Sequence, residues 1–363
     1  MKRIRLSIGK NSYDILICSN ELNKLGACLK RINIGKYAVI VTNPDVKKLF
    51  GNKIKRFLVA SGFDVIFKII PDGEKAKSEK ECIRLLNSIS RIDTLNRMFI
   101  VALGGGVTGD LAGFTASIYK RGIPYVQLPT TLLSQVDSAI GGKTAIDLSA
   151  GKNLAGAFYQ PKLVFSDTMF LKTLPEKELV SGLAEVVKYG ILKSPGLFSF
   201  IEKNYKKILQ HDPASLRRIV YECSLIKSRI VERDEFDSKN IRVSLNLGHT
   251  IGHAIEAAAK YGKSHNHGQA VALGILSSVY IAGKMGLLKD RDAQRIKGVI
   301  KKIGLPVKLK NISVEDILSA QRRDKKFIHN RNRFVLPVKI GSVVIKENIP
   351  ERLVRESVEM LYR

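Results

Sequence analysis

The sequence predicts an α/β protein in two parts, a nucleotide-type parallel-sheet domain followed by a mainly helical domain. Three observations carry this. Between residues 37 and 129 short apolar runs alternate with helix-like runs, as βαβ units do. A glycine-rich stretch, LGGGVTGDLAG, joins one of the apolar runs to one of the helical runs. After about Phe165 the texture changes to long amphipathic segments. A chain of 363 residues exceeds what one hydrophobic core usually serves, so the expected division is residues 1–166 and 167–363.

Taken in order, RIRLSIGKNSYDILIC alternates with period two around a turn at Gly9 to Ser12, which predicts an antiparallel hairpin at the sheet edge. YAVIVT, DVIFKII, MFIVAL and YVQLP follow as strands, with helices starting at Pro44, Ser78 and Val107 between them. In the second part Glu176 to Leu192, Ala214 to Glu235, Thr250 to Lys260 and Gln269 to Lys284 have helical periodicity, and RFVLPVKIGSVVI reads as strand. No internal repeat or low-complexity linker interrupts the chain.

Composition narrows the function classes. With 45% hydrophobic and 26% charged residues the chain is an ordinary globular protein. The N-terminus MKRIRLSIGK has the charge of a secretory signal but no apolar segment after it, and the run Ala270 to Gly283 is too short to span a bilayer, so a cytoplasmic protein without membrane contact is expected. Cys18, Cys28, Cys82 and Cys223 form no C-x-x-C pair and read as reduced core thiols. A net charge of +28 invites a nucleic-acid reading, but the excess is scattered over several segments with no nucleic-acid motif. Solvated helix faces account for most of it, and part suits a small acidic substrate that needs several cations in one cleft.

MFIVALGGGVTGDLAGF runs from a strand through Gly104, Gly105, Gly106 and Gly109 into a helix. Glycines let a backbone approach a pyrophosphate, and the next helix offers unpaired N–H groups. The pattern contains G-x-G-x-x-G, yet it follows a later strand than usual and lacks the acidic residue about 20 positions on. A turn needed only for tight packing is the competing reading. Glu74 and Lys77, in PDGEKAKS after DVIFKII, would lie at the same carboxyl edge of the sheet.

LNLGHTIGHAIE places His249 and His253 four apart, hence on one helix face. Four of the six histidines fall between His249 and His267. The pair is either two metal ligands or one ligand and one catalyst, against the plainer reading of two histidines on a partly buried helix.

GGGVTGDLAGFTASIYKRGIPYVQLPTTLLSQVDSAIGGKTAID, GKNLAGAFYQP, SGLAEVVKYG, RVSLNLGHTIGHAIE and HGQAV, in that order, resemble the 3-dehydroquinate synthases, over roughly Pro71 to Gly341. The resemblance implies a Rossmann-like NAD-binding α/β domain before a helical metal-binding domain. It also implies conversion of 3-deoxy-D-arabino-heptulosonate 7-phosphate to 3-dehydroquinate and phosphate, with NAD regenerated in each cycle and a divalent metal, zinc or cobalt. Carried over by motif, Glu185, His249 and His267 are the metal ligands, and His253 is the proton carrier. Asp137 and Lys188 face the substrate hydroxyls. Lys227, Arg242 and Asn246 surround its carboxylate, and Lys143, Lys152, Asn153 and Arg121 its phosphate, Arg121 from across a homodimer interface. Glu74, Lys77, Gly104, Gly105, Gly106, Asp110, Thr130, Thr131, Lys143 and Lys152 are assigned to NAD. A lysine of the Asp324–Lys326 segment, Lys325 or Lys326, completes the set. The family commonly has H-G-E-A-V where this chain has HGQAV, so Gln269 adds no charge near the metal but can accept a hydrogen bond from a ligand. His265 has no counterpart and is expected at the surface. Rival readings are another sugar-phosphate cyclase and a metal-dependent alcohol dehydrogenase of related fold.

Overall fold

A computed structural model describes residues 1–93, 97–259, 265–322 and 332–363. Asp324–Lys326, with Lys325 and Lys326, lies outside these residues. The chain forms two compact units: Met1–Leu174 with Leu216–Glu235, and Pro175–Ser215 with Phe236–Arg363. The division therefore falls after residue 174 rather than 166, and a stretch expected in the helical part returns to the first unit.

The first unit holds β1 (Lys2–Leu6), β2 (Tyr13–Cys18), α1 (Leu25–Arg31), β3 (Tyr37–Thr42), α2 (Pro44–Val46), α3 (Asn52–Ala60), β4 (Asp64–Ile69), α4 (Glu79–Ser90), β5 (Met98–Gly104), α5 (Gly106–Ile118), β6 (Tyr125–Pro129), β7 (Lys143–Leu148), β8 (Gly151–Phe158) and β9 (Leu163–Asp167). Seven strands form one sheet in the order β1-β2-β9-β6-β5-β3-β4. β1 pairs antiparallel with β2 at one edge, and the other pairings are parallel. Every residue of β5 is buried because both sheet faces are covered. Phe99, Val101 and Leu103 point into one apolar layer, and Met98, Ile100 and Ala102 into the other, as strand alternation requires.

Local signals start the helices. Asn43 accepts from the Val46 N–H ahead of Pro44, and Ser78 accepts from the Glu81 N–H at 3.3 Å. The antiparallel hairpin β7–β8 was not foreseen: its residues KTAIDL and GKNLAGAF carry small and polar side chains without clean alternation.

The second unit contains α6 (Glu176–Lys193), α7 (Pro195–Leu209), α9 (His249–Ala258), α10 (His267–Lys284), α11 (Asp290–Lys302), α12 (Val314–Arg322) and α13 (Glu351–Glu359). Between α7 and α9 runs α8 (Pro213–Arg233), most of which belongs to the first unit. RFVLPVKIGSVVI resolves into a hairpin, β10 (Arg333–Lys339) with β11 (Ser342–Glu347). The four cysteines are free, and all but the half-buried Cys28 are fully buried. No helix among the described residues is long and apolar enough to cross a membrane.

Candidate metal and nucleotide sites

α6 is buried along almost its whole length, and among its apolar residues sit Glu185 and Lys188, 0% and 1% exposed. Charges so deep are tolerated only when paired or ligating. The Lys188 ammonium closes on Glu185 Oε2, yet neither Glu185 oxygen accepts a hydrogen bond of good geometry. α9 starts immediately after Gly248, whose φ of +80° suits glycine. His249 Nε2 then lies 3.6 Å from Glu185 Oε1, and His267 Nε2, from the first residue of α10, lies 3.5 Å from the same oxygen. One ligand atom each from Glu185, His249 and His267 fall within 4.8 Å of one another. His253 is exposed and outside this group, its ring centroid 5.2 Å from that of His249.

Both clustered histidines have Nδ1 engaged on the far side. His249 Nδ1 is 3.1 Å from the Leu247 carbonyl, and His267 Nδ1 is 3.3 Å from Glu256 Oε2. Burial opposes charge on His267, but Glu185 and Glu256 outweigh it and push its pKa up to about 10. A carboxylate and two imidazoles with their Nε2 atoms converging are a donor set suited to a divalent ion that keeps open positions.

Two expectations change here. His265 is buried rather than at the surface, and burial lowers its pKa. Gln269 does not turn to a ligand: its side-chain oxygen accepts from the Asn266 N–H at 3.0 Å while Asn266 caps the Gln269 N–H. It is half of a capping box. Arg242 is buried and Asn246 half-buried on one 3-10 turn (residues 242–246), also in the second unit.

In the first unit the glycine loop connects β5 to α5. The chain passes from β3 outward to β4 and then back to β5 on the other side of β3, so the loop stands at a switch point of the sheet, where ligands of open α/β sheets bind. α5 has Gly105 as N-cap and no capping side chain, which leaves its first N–H groups for an anion. The glycines divide their duties. A Cβ on Gly109 or Gly113 would meet Gln127 at 2.8 Å or Thr144 at 2.5 Å, so those two serve packing. Thr130 is buried with its N–H on the Gly104 carbonyl, and Thr131 exchanges hydrogen bonds with Ser134.

Beside the loop, buried Lys77 donates to Asp110 at 2.5 Å and to the Asn153 side chain, and Lys152 pairs with Glu74 at 3.0 Å. Burial raises the Asp110 pKa against the pull of Lys77. Asp147, which sequence reading missed, accepts from the Asn153 N–H at 2.8 Å and holds that residue at a φ of +55°. Burial, with Glu74 adding to it, raises the Asp147 pKa. Its only sequence signal was its place in KTAID. Asn43 and Asp72 were missed too; they hydrogen-bond at 2.6 Å, with Asn43 directly after β3 at the switch point. Lys227 donates to the Asp137 carbonyl at 2.7 Å and to its carboxylate, joining a residue expected at the substrate carboxylate to one expected at its hydroxyls. Lys143 and Arg121 are exposed.

The fold, a doubly covered parallel sheet with a glycine turn at its switch point followed by a helical unit, is shared with solved sugar-phosphate cyclases and an iron-containing alcohol dehydrogenase. 2-Deoxy-scyllo-inosose synthase, solved with carbaglucose-6-phosphate, NAD+ and Co2+, superposes with a TM-score of 0.89 at 23% identity over 98% of this chain and 99% of that one. 2-Epi-5-epi-valiolone synthase from Streptomyces hygroscopicus subsp. jinggangensis, solved with NAD+ and Zn2+, gives 0.88 at 24% over 98% of each chain. An iron-containing alcohol dehydrogenase gives 0.69 at 15% over 96% and 97%. The chain belongs to the 3-dehydroquinate synthase family: residues 67–181 match the family's N-terminal domain and 182–327 its C-terminal domain. The 3-dehydroquinate synthases of Desulforamulus reducens and Pelobacter propionicus are 42% and 43% identical to it, each over 97% of this chain and 98% of the relative.

Proposed function

We infer that this protein is a 3-dehydroquinate synthase, a phosphate-eliminating lyase that converts 3-deoxy-D-arabino-heptulosonate 7-phosphate to 3-dehydroquinate and phosphate. The observation that carries the reading is the triangle of buried Glu185 with half-buried His249 and His267, set in a chain of this family. These three would hold a divalent metal, zinc or cobalt. Glu74, Lys77, Asp110, Thr130, Thr131 and the Gly104–Gly106 turn would hold NAD, with Lys143 and Lys152 beside it. When bound, the metal supplies a Lewis acid for the substrate oxygens, and NAD a hydride acceptor that returns what it takes.

The chain's own groups do the rest. His253, neighbouring a ligand but outside the ligand set, is the group that takes the proton of the carbon 5 hydroxyl. Buried Arg242 with Asn246 and Lys227 grips the carboxylate, and its guanidinium suits bidentate pairing. Lys143, Lys152, Asn153 and Arg121 hold the phosphate, while Asp137 and Lys188 orient the hydroxyls. Arg121 acts from the partner of a homodimer in the cytoplasm, and the positive excess serves an anionic small molecule rather than nucleic acid. The test is incubation with the heptulosonate phosphate, zinc and substoichiometric NAD. Phosphate and 3-dehydroquinate should appear together, in excess of the NAD, without net NADH. Net NADH would favour an alcohol dehydrogenase, and turnover of only a substrate lacking the carboxylate would favour another cyclase.

A further inference from the structure

We propose that Glu256 is the positioning residue that sets His267 for metal binding, and that Gln269 has no share in this task. The inference rests on the ligand set proposed above. A ligating imidazole needs its second nitrogen held, because that hydrogen bond fixes both the tautomer and the ring plane. His249 obtains this from the main chain, through the Leu247 carbonyl. For His267 the partner is a side chain: Nδ1 lies 3.3 Å from Glu256 Oε2 while Nε2 lies 3.5 Å from Glu185 Oε1.

The origin of the carboxylate is legible in α9. Positions 249 and 256 are seven residues apart, close to two full turns, so one helix face presents a ligand and, two turns on, the residue that orients the other ligand. The Glu256 side chain is only 13% exposed, which keeps its charge largely out of water. Gln269 is two residues from His267 in sequence, but its oxygen is taken by the Asn266 N–H. The negative charge absent from HGQAV is thus provided to His267 from α9.

The test is zinc titration of the chelator-stripped full-length protein against a chromophoric competitor, with the Co2+ absorption spectrum as a second readout. Glu256→Ala is expected to weaken zinc binding about 10- to 100-fold and to alter the Co2+ bands. Glu256→Gln, which keeps an acceptor of the same reach, should recover part of the affinity. Gln269→Glu should bind zinc as the wild type does. Should Glu256→Ala fail to fold, Glu256→Asp carries the test: one methylene shorter, it is expected to bind zinc at least about tenfold more weakly. Wild-type affinity in Glu256→Ala, or in Glu256→Asp where that decides, overturns the proposal if His267→Ala in the same titration loses zinc. Tighter binding in Glu256→Ala also overturns it, since the carboxylate would then serve only a protonated His267. Wild-type affinity in His267→Ala would instead remove the ligand set itself.

Discussion

Gly274 in α10 is where packing and the candidate metal centre meet. A Cβ placed there would lie 1.8 Å from the Gly248 carbonyl oxygen and 2.8 Å from both the Gly248 carbonyl carbon and the Gly252 nitrogen. All three are backbone atoms, so no side chain can rotate aside. Relieving the closest contact to 3.0 Å means moving the start of α9 away from α10 by about 1.2 Å. His249 follows Gly248 directly, and metal–nitrogen distances in such sites hold to about ±0.2 Å. The shift exceeds that tolerance several-fold. Gly274→Ala should therefore lose about 1–3 kcal/mol of stability by overpacking. Zinc affinity should fall at least about tenfold, and turnover about 10²-fold for a misplacement near 1 Å. Gly283→Ala, on the same helix with nothing within 4 Å of the new Cβ, is the control and should gain about 0.5–1 kcal/mol from helix propensity. Thermal unfolding and zinc titration of both variants decide the matter. A Gly274→Ala protein with wild-type melting and zinc affinity would refute the close-approach argument.

Three further outcomes are expected. His253→Ala should keep zinc and NAD while turnover drops about 10²-fold or more, as for a lost general base, whereas His249→Ala loses zinc; equal zinc loss in both, by metal analysis, would make the pair two ligands. Because Glu185 and Glu256 overcome burial and raise the His267 pKa to about 10, the metal-free protein holds a proton at neutral pH that a ligand nitrogen must release. Apparent zinc affinity should accordingly fall about tenfold for each unit that pH is lowered below that value, with about one proton released per zinc in calorimetry across buffers of different ionisation enthalpy. Arg242→Ala should impair use of the heptulosonate phosphate and leave zinc and NAD binding intact, read from steady-state kinetics beside two binding titrations; unchanged kinetics would point to a substrate without a carboxylate.

Much of the fold was legible because it is written locally. YAVIVT and MFIVAL are unbroken apolar runs, the pattern of strands covered on both faces, and β3 and β5 are central strands of the sheet. The hairpin β7–β8 escaped notice because its pairing is carried by backbone bonds between residues such as Ala145 and Gly156, which leave no apolar rhythm. A Cβ on Gly156 would come within 2.4 Å of the Thr144 carbonyl oxygen, a constraint visible only once the strands are paired.

By itself the sequence determined the strongly patterned strands and helices, the glycine turn, and the one-face spacing of His249 and His253, since each depends on residues within a few positions of one another. Tertiary structure decided what those spacings mean. It set the strand order that puts the glycine turn at a switch point and returned residues 216–235 to the first unit. It also grouped Glu185 with His249 and His267 rather than with His253, and turned Gln269 to a helix cap. These outcomes depend on how α6, α9 and α10 approach one another. That approach is governed by contacts remote in sequence, such as Gly268 against Ser181 and Gly274 against Gly248, where only a missing side chain lets the backbones come close enough for one carboxylate to face two imidazoles.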